Sequence, residues 1–206
     1  MVSALTPSCA VVVPVKSFGI AKGRLGDALD EGERAALAER MAATVVAAAA
    51  PLPVWVVCDS HDVAAWAVGH GAGVIWRRAA GLNPAVTAAV EFLRDEGYER
   101  TIIAHGDLPL ATELAWVGDF DGVTIVRDRR GDGTNVASVP TDSSFVFGYG
   151  PGSAANHRAE AERLGLAVRV IDDDPLGWDV DTAEDLVVFD GHQREPANDH
   201  EREEQA

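Results

Sequence analysis

Residues 10–26, AVVVPVKSFGIAKGRLG, decide the fold. The first six are an unbroken, valine-rich apolar run, the composition of a strand buried on both faces. From Lys16 to Gly26 the chain is a loop punctuated by Gly19, Gly23 and Gly26. Asp30 then stands three residues before Glu33, the spacing of a capping box. It opens an alanine-rich helix over 31–50 that Pro51 and Pro53 stop. Buried strand, glycine loop and helix, in that order, make one βα unit of a parallel sheet.

The unit recurs along the chain. Further strands are predicted at 54–58, 74–76, 101–105, 122–126 and 167–171. Helices are predicted from Asp59 to about Gly69, and over 84–96, 153–164 and 182–189, with Gly81, Leu82 and Asn83 as a capping turn before the second. Residues 136–139 and 145–147 read as an antiparallel pair. The expected architecture is therefore α/β, a Rossmann-like three-layer sandwich with a mostly parallel sheet and a small antiparallel element. Residues 1–189 are expected to form one domain. Residues 190–206 hold six acidic and two basic side chains without periodicity, and are expected to be a disordered tail.

The 206 residues carry 17 basic and 33 acidic side chains, a net charge of −16. Such a surface repels nucleic acid and anionic lipid. No apolar run approaches the roughly 20 residues of a membrane span, and the N-terminal run reads as a first strand and not as a signal peptide. The two cysteines, Cys9 and Cys58, lie in strand-like runs and are expected as buried thiols in a reducing cytoplasm. The oligomeric state stays open, a homodimer being compatible with everything above.

Ligands of parallel sheets bind at the carboxyl ends of strands, where the polar clusters of this chain fall. The chain has only two lysines, Lys16 and Lys22, and both stand in the first loop with Arg24. Concentrating cations beside glycine backbone in so acidic a protein points to phosphate, although GxxxxGK[ST] is absent. Asp107 follows a strand directly in HGDLP; it reads equally well as a metal anchor or a helix cap. Asp179 and Asp181 stand two apart, so in extended backbone they point the same way and repel unless a cation sits between them. The plainer reading is that Asp181 caps the last helix with Glu184. Thr134 precedes a strand, and Gly150 and Ser153 open a helix whose amides would make an anion seat, with His157 and Arg158 one turn in. Asp172 to Asp174 read as a solvated turn, and His105 as structural. No Ser/His/Asp or Cys/His arrangement stands out.

In order, VPVKSFGIAKGRL, GLN at 81–83, HGDLP, DGTN, FGYGPGSAANHRAEAERLG and DVDTAEDL resemble the guanylyltransferases that build the deazaflavin coenzyme F-420. That family is called 2-phospho-L-lactate guanylyltransferase, and its bacterial branch is described as using phosphoenolpyruvate. The resemblance runs from about Val11 to Leu186; Gly106, where alanine is frequent, and the acidic tail depart from it. It implies a nucleotide-diphospho-sugar transferase fold. It implies that Lys16, Lys22 and Arg24 hold the GTP phosphates, with Asn83 near the nucleotide. It implies that Asp107, Asp179 and Asp181 bind Mg2+, and that Thr134, Gly150 and Ser153 seat a three-carbon phospho-acid. The acceptor stays open among phosphoenolpyruvate, 2-phospho-L-lactate and 3-phosphoglycerate. A non-catalytic nucleotide-binding module is the alternative of another class.

Overall fold

The computed structural model describes residues 8–78 and 81–186. The acidic tail and the end of the last predicted helix lie outside the described residues.

β1 (Cys9–Pro14), α1 (Glu31–Ala48), β2 (Val54–Cys58), α2 (His61–Gly69), β3 (Gly73–Trp76), α3 (Leu82–Asp95) and β4 (Arg100–Ala104) alternate as expected. β5 (Val123–Arg127), β6 (Thr134–Pro140), α4 (Ser153–Arg163), β7 (Val168–Ile171) and a single turn, α5 (Asp174–Gly177), follow. The seven strands form one sheet in the order β3-β2-β1-β4-β6-β5-β7. All neighbours run parallel except β6, which is antiparallel to both β4 and β5.

The sheet is covered on both faces, which is why its strands read as continuous apolar runs. Val11 and Val13 pack with Val45 of α1 and Val63 of α2 on one face. Ala10 and Val12 point the other way, against Ala89 and Leu93 of α3. Burying each such valine contributes on the order of 1.5 kcal/mol. The capping box of α1 forms as predicted, with Glu33 N–H donating to Asp30 at 2.8 Å and Asp30 N–H to Glu33 at 2.9 Å. α3 starts earlier than the sequence suggests, so Leu82 and Asn83 belong to its first turn and Gly81 is the cap.

The antiparallel pair is not the one expected. Both edges of β6 are taken, by β4 and β5, so Phe145 to Phe147 have no free edge to join. The chain turns away after β6, where the Thr141 hydroxyl donates to the Tyr98 carbonyl at 2.6 Å. Phe145 and Phe147 then bury their rings against Ala154 and Ala161 of α4 while Val146 stays exposed. Their alternation reports a buried face without a strand.

Candidate active site

One cleft of about 980 Å³ opens at the carboxyl edge of the sheet, and the residues assigned above to phosphate, metal, nucleotide and acid line it, whereas His157 and Arg158 do not. The loops after β1, β2, β3, β4 and β5 reach it directly. Thr134 arrives because β6 runs backwards, which brings its amino end to the edge where the parallel strands finish.

The loop after β1 delivers the cations. Its two short helical turns, Phe18–Ile20 and Gly23–Leu25, meet at Lys22, whose backbone is left-handed with φ +56°. A non-glycine residue there costs about 1 kcal/mol or more, which the side chain's contacts offset. The Lys22 ammonium donates to Asp107 at 2.6 Å and to Asp181 at 3.2 Å. Burial works against that charge, but the two carboxylates outweigh it and hold the lysine pKa above its usual value. Burial likewise opposes the charge on Asp107, and Lys22 with His105 outweighs it, so the carboxyl sits below its ordinary range. Arg24 lies outside this pair, largely exposed, 3.5 Å from Asp181. Lys16 is exposed at the cleft rim.

Asp179 is the strained member of the acidic group. Burial first, then the charges of Asp107 and Asp181, raise its pKa. Among the described residues no three acidic, thiol or imidazole groups stand together closely enough to form a metal cluster as they are placed. The donor chemistry nevertheless suits a hard cation. Asp107 Oδ1 and Asp179 Oδ1 are both buried without a hydrogen-bond partner, and unpartnered buried carboxylate oxygens are costly unless something positive meets them.

Asp181 does not cap the last helix. Its carboxylate is turned to Lys22 and Arg24, and the cap is formed by Thr182 with the buried Asp185. Asp185 accepts from Thr182 N–H at 2.7 Å and from Asp181 N–H at 3.0 Å. In return Asp185 N–H donates to the Thr182 hydroxyl at 3.4 Å. Arg129 donates to the second oxygen of Asp185, with Arg130 at 3.5 Å. Sequence reading missed this anchor, although Thr182 and Asp185 have the three-residue capping spacing that was given to Asp181 and Glu184.

The other wall carries hydroxyls. Thr134 and Ser153 are both buried. The α4 amides are not a free anion seat: Gly152 N–H donates to the Asp132 carboxylate at 2.9 Å and Ala154 N–H to the Asp132 carbonyl at 3.0 Å. Arg158 faces outward to Glu162 at 2.8 Å, and His157 faces inward, so neither waits for an anion. Asn83 spends its amide on the Tyr149 backbone, donating to the carbonyl at 3.3 Å and accepting from the N–H at 2.8 Å. Gly150 follows at φ +132°, a conformation closed to most side chains. Asp172 pairs with Arg127 at 2.6 Å and Asp173 caps α5, so that acidic run is structured and not merely a solvated turn. Arg77, next after β3, and Asp128, next after β5, also line the cleft and were not singled out. Their position directly after a strand is the signal that would have found them.

Cys9 and Cys58 are free. Burial pushes the Cys9 thiol up to about 11 and raises that of Cys58, so both are poor nucleophiles. No described helix is long and apolar enough to cross a membrane.

A model of the guanylyl transferase CofC-like family matches residues 9–198. The chain is 30% identical over 194 residues to the phosphoenolpyruvate guanylyltransferase of Chloroflexus aurantiacus, covering 87% of this chain and 93% of that protein. It is 32% identical over 181 residues to the 3-phospho-D-glycerate guanylyltransferase of Phenylobacterium zucineum, covering 81% of this chain and 83% of that one. Among solved structures, one from Desulfovibrio desulfuricans G20, described as a nucleotide-diphospho-sugar transferase, superposes with a TM-score of 0.74 at 18% identity, covering 93% of this chain and 90% of that one.

Proposed function

This chain belongs to the CofC-like guanylyl transferase family, and from that premise we propose that it transfers GMP from GTP to phosphoenolpyruvate in coenzyme F-420 biosynthesis. Support for the reaction comes chiefly from Lys22. It is bonded at once to Asp107 and to Asp181, residues 85 and 159 positions away, at the junction of a cationic loop and a hydroxyl-lined wall. Support for the acceptor comes from the Chloroflexus relative.

A phosphate oxygen of the acid attacks the α-phosphorus of GTP in line. The bond from that phosphorus to the bridging oxygen breaks, and its electron pair leaves with pyrophosphate. The attacking phosphate is already ionised near neutral pH, so no side chain need remove a proton. Lys16 and Arg24, at the open side of the loop, offset charge on the triphosphate, and Lys22 adds a fixed ammonium between the carboxylates. Thr134, Gly150 and Ser153 orient the acid on the opposite wall. Asp107, Asp179 and Asp181 would hold Mg2+, which supplies charge neutralisation on the phosphates. The site thus works by positioning and by charge, with no covalent intermediate on the enzyme.

The test is pyrophosphate release by purified protein with magnesium and GTP, offering phosphoenolpyruvate, 2-phospho-L-lactate and 3-phosphoglycerate separately, with ATP and CTP as controls. Release with GTP and phosphoenolpyruvate is the expected result. Release only with 3-phosphoglycerate, the acid in the name of the Phenylobacterium relative, would move the acceptor without changing the reaction. Magnesium-dependent GTP binding with no turnover on any acid would reduce the protein to a nucleotide-binding module.

A further inference from the structure

His157 is fully buried on the inner face of α4, one turn after Ser153. Its Nε2 accepts from the Gly148 backbone N–H at 3.0 Å, and its Nδ1 lies 3.0 Å from the Thr134 hydroxyl oxygen. A backbone amide can only donate, so Nε2 must present its lone pair. The ring proton is then on Nδ1, and Nδ1–H donates to Thr134. With the Thr134 oxygen serving as acceptor to His157, the hydroxyl's own hydrogen is the one left for the cleft that Thr134 lines. The bond to Gly148 also pins the loop that carries Gly150, which Asn83 grips at Tyr149 from the other side. One imidazole on the helix that Ser153 opens is therefore bonded both to Thr134 and to the loop that carries Gly150.

We infer that His157 is a positioning residue for the acceptor acid, locking the Nδ1–H tautomer so that the Thr134 hydroxyl is presented as a hydrogen-bond donor to that acid's anionic oxygens. The inference rests on the acceptor assignment made above and adds to it the polarity of the Thr134 contact. Aromatic rings of Phe145, Phe147 and Tyr149 enclose the imidazole and keep it neutral, and its pKa is brought down to about 4 by burial and then by His105. An imidazolium would have no lone pair for Gly148.

Steady-state kinetics on His157→Leu, His157→Asn and Thr134→Val test it, with melting temperatures measured alongside. In His157→Leu the KM for phosphoenolpyruvate should rise about tenfold or more, the loss of one hydrogen bond to a charged group, while the KM for GTP stays within about twofold. His157→Asn places an amide N–H near the position of Nδ1, so it should recover much of that loss even where its melting temperature stays low. The double variant His157→Leu/Thr134→Val should be no worse than the poorer single one, because both remove the same contact. Equal rises in both KM values, or strictly additive losses, would reduce His157 to a core residue and overturn the inference. A long-range nitrogen spectrum of the imidazole showing the Nε2–H tautomer would overturn it independently of turnover. A wild-type protein that processes none of the acids would instead sink the acceptor assignment, and this inference with it, and the two failures are told apart by whether the wild type is active.

Discussion

Asp107, Asp179 and Asp181 sit in one acidic group, yet their environments differ. Asp107 is neutralised by Lys22, whereas Asp179 has burial and two like charges against it. Asp107→Asn should lower turnover by about 10²-fold or more while the far-ultraviolet circular dichroism stays unchanged. Full activity in that variant would remove Asp107 from the chemistry. Asp179→Asn relieves repulsion, so in magnesium-free buffer it should raise the melting temperature by about 2 °C or more while turnover is lost. A lower melting temperature would show that a favourable contact of the Asp179 carboxylate outweighs the repulsion. His157 supplies a pH dependence of its own. Above its usual pKa of 6.5 the imidazole is neutral in both folded and unfolded chains and contributes nothing. Between 6.5 and about 4 the unfolded chain takes up a proton that the folded one refuses, so stability falls as pH falls through that window. The full loss is on the order of 3 kcal/mol. Melting temperatures between pH 7 and pH 4 should drop more steeply for the wild type than for His157→Asn.

At the scale of elements, the site depends on how segments begin. The Thr182–Asp185 cap and its arginine clamp hold the backbone from which Asp181 projects. Asp185→Ala removes the acceptor for two amides and two guanidinium groups at a buried position. It should destabilise by about 3 kcal/mol or more, and by weakening the hold on Asp181 should raise the magnesium concentration needed for half-maximal activity. An unchanged magnesium dependence in a folded variant would uncouple the cap from the site. The elements were mostly legible beforehand because each carries local signals: valine runs for the central strands, Asp30 with Glu33 for α1, Gly81 before α3. The misread element was Phe145 to Phe147. Burial alternates there as it does in a strand, but pairing requires a free strand edge, and no local pattern reveals that β6 already has two neighbours.

Over the whole molecule, the net charge of −16 makes the cationic loop after β1 the natural entry for an anionic substrate. Ligand binding to the folded state alone stabilises it by mass action. Magnesium with GTP at about a hundred times the dissociation constant should therefore raise the melting temperature by roughly 5–10 °C, and by clearly less in Asp107→Asn. Equal shifts in both proteins would place the nucleotide elsewhere. By itself the sequence determined the alternation of strands and helices, the concentration of both lysines in one loop, and the placing of the main polar clusters at the strand ends that line the cleft. Those features are local or compositional, so they survive without coordinates. Only the tertiary structure decided who is bonded to whom. It set Lys22 between Asp107 and Asp181, gave the α4 amides to Asp132, moved the helix cap from Asp181 to the Thr182–Asp185 pair, and brought His157 against Thr134. Each of those contacts joins segments, or selects among competing donors and acceptors, by distance in space. Which donor reaches which acceptor is settled by the sheet order and by the one reversed strand, and neither is written in any stretch of adjacent residues.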